Sequence, residues 1–248
     1  MRVDFNADLG EGAGHDDELL LLVSSANIAT GFHAGDPESI ARSMAAARDA
    51  HVAVGAHPSF ADRENFGRRE QTLSPEQLFQ LVVDQLDGFR ALAAGIGIRT
   101  QHVKPHGALY NLAARDAEAA DAIARAVAAV DKELVLFALS GSELVRAGHA
   151  NNLRVASEVF ADRNYRADGS LVPRTQRDAV LHDASQVADR VLRMLREGRV
   201  RSVEGSDVMV CADTICVHGD TPDAVAFARA LRRKLTDEAV EISAHFKA

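Results

Sequence analysis

Histidine, carboxylate, lysine and arginine side chains recur in this chain just after short apolar runs, and glycine stands beside many of them. The first run leads into Asn6, Asp8 and Glu11, the second into His33 and Asp36, the third into His57, and the fourth into Lys104 and His106. The sixth is followed by Asp162, Arg163 and, further on, Arg174, and the seventh by His218 and Asp220. Imidazole titrates near neutral pH and can give or take a proton. Carboxylates act as bases, metal ligands or orienters of a histidine, and Lys and Arg hold anionic groups. A single histidine after a strand is usually a cap or a loop residue. Five of the seven runs ending in His, Lys or Asp beside Gly point instead to one shared site, since glycine lets backbone approach a ligand closely.

Such residues can meet only if the elements before them are parallel. Apolar runs suited to strands span Arg2 to Asp8, Asn27 to Thr30, His51 to Ala56, Arg99 to Lys104, Leu134 to Leu139, Arg154 to Val159 and Asp213 to Val217. Helical periodicity fills the intervals at Pro37 to Ala50, Ser74 to Ala94, Ala117 to Val130, Ala184 to Glu197 and Pro222 to Leu235. Ser74-Pro75-Glu76-Gln77 carries an N-cap, a proline in the first turn and a capping-box Gln. Strand and helix in alternation predict parallel strands with right-handed crossovers. The expected fold is α/β, a seven-stranded parallel barrel formed as one domain over residues 1–248. In such a barrel the strand ends share one rim, and catalysis sits there. Val200 to Cys211 reads as a hairpin turning at Glu204 to Asp207. Pro58 to Leu73 and Ala161 to His182 read as long functional loops.

Composition narrows the function. The chain has 248 residues, 47% of them apolar and 26% charged, with a formal net charge of −8. An acidic surface repels phosphate backbones and anionic lipid, which argues against nucleic-acid and membrane partners. Met1-Arg2-Val3-Asp4 lacks the apolar core of a signal peptide, so a cytoplasmic location is expected. Cys211 and Cys216 lie in apolar runs without zinc spacing and read as two buried thiols.

The strings NADLGEG, SSANIATGFHAGDP, GAHPSF, FGRRE, HVKPHGALYN, SEVFADRNY and ADTICVHGD closely resemble the LamB/YcsF family, the A subunits of prokaryotic 5-oxoprolinases. They run from Asn6 to Asp220, nearly the whole chain. Thr30 stands where the family usually shows Cys. The resemblance implies a distorted seven-stranded barrel of the glycoside hydrolase/deacetylase kind. It also implies ATP-driven opening of 5-oxo-L-proline to L-glutamate, in complex with subunits B and C. Phosphate passed from ATP to the lactam oxygen makes the ring carbon electrophilic, after which water addition opens the ring and phosphate is released.

That chemistry needs a cation, a base for water and an acid for the leaving nitrogen. Catalysis is accordingly assigned to Asp8, His57, Lys104, His106 and His218. Lys104 is expected to stabilise phosphate or oxyanion, His57 and His106 to move protons. Asn6, Glu11, His33, Asp36, Asp162, Arg163, Arg174 and Asp220 are assigned to substrate or nucleotide, with Arg163 and Arg174 as carboxylate clamps. ATP with Mg2+ is the expected cofactor, although no P-loop is present and Gly10, Gly12 and Gly14 offer only a candidate phosphate cradle. Asp8, His33 and His57 could hold a transition metal, as in related deacetylase barrels. Two rival readings stand beside this one: a metal-dependent amide or sugar deacetylase without ATP, and a scaffold that presents substrate to partners.

Overall fold

A computed structural model describes residues 1–181, 183–217 and 223–244. Six parallel strands come first: β1 (Arg2–Leu9), β2 (Ser25–Ala29), β3 (Ala53–His57), β4 (His102–Val103), β5 (Val135–Leu139) and β6 (Arg154–Phe160). The antiparallel hairpin of β7 (Arg199–Arg201) and β8 (Asp207–Met209) lies outside the barrel. It precedes β9 (Thr214–Val217), which pairs with both β6 and β1 and closes a seven-stranded ring. A short β10 (Glu241–Ile242) adds to the start of β1. The seven expected strands are the seven of the barrel, and the expected hairpin is present. The fourth is the shortest, a two-residue ladder where the pattern suggested six.

Among the described residues, eight helices surround the ring: α1 (Asp16–Leu20), α2 (Pro37–Asp49), α3 (Pro75–Gly95), α4 (Gly107–Arg115), α5 (Ala117–Val130), α6 (Glu143–Ala150), α7 (Ala184–Glu197) and α8 (Ala224–Asp237). Ser74 and Gln77 form the expected capping box at α3, and Asp36 with Ser39 forms another at α2. None of the helices among the described residues is long and apolar enough to cross a membrane.

The period of two along β1 separates two environments. Val3, Phe5, Ala7 and Leu9 join the large apolar core between barrel and helices. Asp4, Asn6 and Asp8 alternate with them and turn into the barrel, where they are buried among polar partners. Asp4 accepts from Ser25 at 2.6 Å and from Thr214 at 2.5 Å. Asn27 donates to Asn6 and Asp8, and His102 donates to Asn27 at 2.9 Å. Val135, Phe137 and Ala156 form a small apolar cluster apart from the main core. Burying this many polar groups is tolerable because they satisfy one another. The two thiols differ from expectation: Cys216 is buried inside the ring, but Cys211 is exposed, because it follows the hairpin and its amide is held by Ser140.

Candidate active site

Lys104 follows β4 and is 2% exposed. Its Nζ lies 2.9 Å from Asp8 Oδ1 and 2.9 Å from Glu158 Oε1. Cys216 Sγ is 3.0 Å away and Asn6 Oδ1 3.3 Å. Burial alone would lower the ammonium, but Asp8, Cys216 and Glu158 outweigh it and raise it well above its ordinary value. Three protons facing four acceptors leave no donor for a phosphate. The expected role as a phosphate cation therefore gives way to that of a fixed counter-ion beneath Asp8. Asn6 likewise serves the interior, donating to Glu158 at 3.0 Å and Thr214 at 2.7 Å. Tyr110 of α4 completes Glu158 with a 2.7 Å hydrogen bond.

Above this layer, three histidines and Glu11 meet. His57 ends β3, and its Nδ1–H donates to the Lys104 carbonyl at 2.7 Å. His106 caps α4, and its Nε2–H donates to the Phe66 carbonyl at 2.9 Å. The inner nitrogens, His57 Nε2 and His106 Nδ1, are 3.0 Å apart. Glu11 Oε1 lies 3.2 Å from His106 Nδ1 and 3.7 Å from His57 Nε2. His33 Nε2 meets the same oxygen at 3.0 Å, while its Nδ1 meets Ser59 Oγ at 2.9 Å. Burial lowers the His33 imidazole to about 4, so the ring is neutral at neutral pH. Burial also pulls on His57, but the charge of Asp8, 3.5 Å from Nε2, outweighs it and lifts that imidazole above its usual value. Burial opposes ionisation of Glu11, yet His106 and His33 hold its carboxyl far below the usual range.

Local sequence explains the gathering. Gln85 on α3 accepts from Ser59 N at 2.9 Å and donates to Ser59 O at 2.8 Å, fixing the residue that meets His33. Thr30 donates to the same Gln85 at 2.7 Å, a role its hydroxyl fills where the family usually has Cys. Gly67 and Gly107 both take left-handed φ, and a Cβ on Gly107 would sit 2.7 Å from the Gly67 carbonyl. That close crossing packs the long loop after β3 against the start of α4 and clamps His106 between them.

These groups open into a cavity of about 1010 Å³, lined by Asp8, Glu11, His57, Lys104 and His106 at its base. Arg68, Arg146, Arg166 and Arg174 line it further out, with Ser140 and Ser142 from the loop after β5. Arg163 also borders it, but Nε and Nη2 donate to the Ala179 and Val172 carbonyls at 3.2 and 2.5 Å. It pins the long loop after β6 instead of standing free as a carboxylate clamp, and burial lowers its guanidinium to about 10.

Several assignments move. Asp36 is a helix cap, accepting from Glu38 N and Ser39 N at the exposed end of α2, away from the cavity. Asp162 is fully buried beneath the loop that Arg163 holds. Within the candidate glycine cradle, the Gly10 amide is already engaged, donating to Asp16 Oδ2 at 2.8 Å. Of the expected metal set Asp8, His33 and His57, only His33 belongs to the group with ligand atoms within 4.8 Å of one another, Glu11, His33 and His106. Asp8 is turned to Lys104 instead. His218 and Asp220 lie outside the described residues. Glu158, Tyr110, Ser59 and Asn27 also belong to the site; each lies within one of the family-like strings, yet none is among the residues assigned from the sequence. The polar alternation of β1 is the available signal for an interior that needs such partners.

The chain matches the model of the LamB/YcsF family over residues 3–248. It is 52% identical over 243 residues to a protein of Erwinia tasmaniensis named as the A subunit of 5-oxoprolinase, covering 98% of this chain and 99% of that one. The crystal structure of the lactam utilization protein from Thermus thermophilus superposes with a TM-score of 0.91 at 45% identity, covering 98% and 100% of the two chains. A GH113 beta-1,4-mannanase superposes with a TM-score of 0.52 at 11% identity over 95% of this chain and 99% of its own, a likeness of fold alone.

Proposed function

This chain belongs to the LamB/YcsF family, and we propose that it is the lactam-handling subunit of an ATP-dependent 5-oxoprolinase that opens 5-oxo-L-proline to L-glutamate. The observation that carries the reading is the coincidence of the His57–His106–Glu11 cluster with an arginine-bordered cavity at the barrel mouth. The names of the Erwinia and Thermus relatives support it.

The substrate is a small anion containing an amide that resists plain hydrolysis. Arginines at the outer wall suit its carboxylate and the phosphates of ATP with Mg2+. Transfer of the γ-phosphoryl group to the lactam oxygen releases ADP and leaves an electrophilic ring carbon. Water adds to that carbon and gives up a proton to a base. The ring C–N bond then breaks, its electron pair stays on nitrogen, and nitrogen takes a proton to become the amine of a γ-glutamyl phosphate. A second water releases phosphate and glutamate. His57, His106 and Glu11 are placed for these proton transfers, with Asp8 beside them held by Lys104. The nucleotide is bound at the rim or completed by subunits B and C. The protein acts in the cytoplasm, with residues 1–248 as one barrel domain.

The test incubates the purified chain with 5-oxoproline and ATP, with and without subunits B and C, and measures glutamate and phosphate together. Equal release of both, dependent on ATP, is the expected result. Glutamate formed without ATP, or none in any combination, would reject the reading.

A further inference from the structure

The buried face of α3 is made of Leu78, Val82, Leu86, Phe89 and Ala93, with one amide among them, Gln85. Gln85 is 2% exposed, and an amide so placed is costly unless it is bonded. Its Oε1 accepts from Thr30 Oγ1 at 2.7 Å and from Ser59 N at 2.9 Å. Its Nε2 donates to Ser59 O at 2.8 Å and to Leu81 O at 3.0 Å. Two lone pairs and two N–H groups are all that a carboxamide has, so every one is engaged. Methionine would fill the same volume. The distinctive work of the amide is on Ser59, which it grips by N–H and carbonyl at once.

The course of the loop after β3 has other anchors. Pro58 O accepts from His106 N at 2.7 Å, Gly67 O accepts from Ala108 N at 3.0 Å, and Phe60 is fully buried. Arg63 Nη1 donates to the Gly31 and Gly35 carbonyls, at 2.7 Å each. What Gln85 sets is where Ser59 stands, with Oγ 2.9 Å from His33 Nδ1. The Phe60 carbonyl, 2.9 Å from the same Oγ, belongs to the same loop and moves with it. His33 lies flat on His106, ring centroids 3.9 Å apart and 7° from parallel. Stacking resists tilt more than rotation in the plane, so the heading of the ring is set by the directional bonds at its two nitrogens. One bond is to Ser59, and the other joins Nε2 to Glu11 Oε1 at 3.0 Å. That oxygen is also 3.2 Å from His106 Nδ1 and 3.7 Å from His57 Nε2. A slip at Ser59 therefore reaches Glu11 in two steps.

We propose that Gln85 is a positioning residue for the reaction, acting through Ser59 and His33 to hold the Glu11 carboxylate beside His106 and His57. Thr30 serves the same end, because its hydroxyl keeps Gln85 Oε1 turned toward the Ser59 amide. Neither side chain lines the cavity, so neither touches substrate. The chemistry that Glu11 performs rests on the lactam reading above. Misplacing a reacting group by about 1 Å costs on the order of 100-fold in rate. A residue remote from the cavity can thus govern turnover while leaving affinity alone.

The experiment uses the full chain with subunits B and C, 5-oxoproline and ATP. Gln85→Met should lower kcat about 10–100-fold, with KM for both substrates within about 3-fold of wild type. Thr30→Val should lower kcat by about 3–10-fold, and Thr30→Ser should recover most of that loss. In a His33→Leu background, Gln85→Met should add less than about 3-fold, since the relay is already cut. A residue that only stabilises the fold would instead leave kcat per folded molecule unchanged, or multiply in full with His33→Leu. Imidazole NMR spectra give a reading that needs no turnover: the His33 signals should move in Gln85→Met while those of His149 on α6 stay. If Gln85→Met does not fold, Gln85→Glu, which keeps both acceptor bonds and gives up the donors to Ser59 and Leu81, takes its place with the same expectations. Unchanged kcat, full multiplication with His33→Leu, or unmoved His33 signals overturns the proposal. Wild type that forms no glutamate rejects the lactam reading instead, and the spectra then decide the positioning by themselves.

Discussion

Nζ of Lys104 and Oδ1 of Asp8, 96 residues apart in sequence, meet at 2.9 Å inside the barrel with almost no exposure. Removing one partner of a buried pair leaves an uncompensated charge and costs about 3–5 kcal/mol. Lys104→Met should therefore lower the urea midpoint sharply, beyond what loss of a surface lysine causes, and abolish turnover as Asp8 loses its place. A midpoint within error of wild type would show that Lys104 is not the counter-ion described.

His57→Asn and Glu11→Gln should each reduce ATP-dependent glutamate formation at least ~100-fold, the usual scale for a lost acid or base. Circular dichroism should show the barrel intact. A folded variant with unchanged rate removes that residue from the chemistry.

His102 should make the protein acid-sensitive before its carboxylates titrate. Burial, reinforced by the charge of Lys104, holds its imidazole down to about 3, against an ordinary value of 6.5. As pH falls below 6.5 the unfolded chain binds a proton here that the folded chain refuses. Stability is thus fully present above the ordinary value and declines toward the depressed one, by up to about 1.4 kcal/mol per pH unit from this group. Urea unfolding at about pH 7.5, 6.0 and 5.0, spanning that window, should show a shallower decline in His102→Gln than in wild type. Equal slopes would contradict the buried neutral ring.

Gly55→Ala should be poorly tolerated although its backbone angles suit any residue. A Cβ there would lie 2.1 Å from His102 Nε2. The ring cannot retreat, since it is stacked on Phe137 at 4.3 Å and bonded to Asn27. A loss of about 3 kcal/mol, at the upper end of ordinary overpacking, should appear in thermal or urea melts. A variant as stable as wild type would mean that the interior yields more than the packing implies.

Much of this architecture is legible in the residues themselves. Strand number, the hairpin before β9 and the cap at Ser74 follow from local pattern, because each depends on neighbours in sequence. The meeting of Asp8, Glu11, His57, Lys104 and His106 follows from parallel strands once a ring is assumed. Partner choice does not follow. Lys104 reads as a free cation until Glu158 and Cys216 are seen beside it, and Arg163 reads as a clamp until two loop carbonyls claim its N–H groups. Asp36 follows a glycine just as a site residue would, yet its work is at a helix start. Short α1, α4 and α6 escape the helical pattern because each spans only a few turns. Asp4, Asn6 and Asp8 alternate with apolar residues along β1, and only ring closure makes their face an interior.

The first strand of this ring waits for nearly the last. Asp4 needs the hydroxyl of Thr214, 210 residues further along, and Asn6 needs the same group. During synthesis β1 leaves the ribosome early with its carboxylates hydrated, and they can shed that water only when β9 emerges to complete the circle. Contacts of such sequence separation slow folding. Nascent chains stalled before Thr214 should therefore carry an open, wet sheet, and the pocket should come into being in one late event with the closing of the ring.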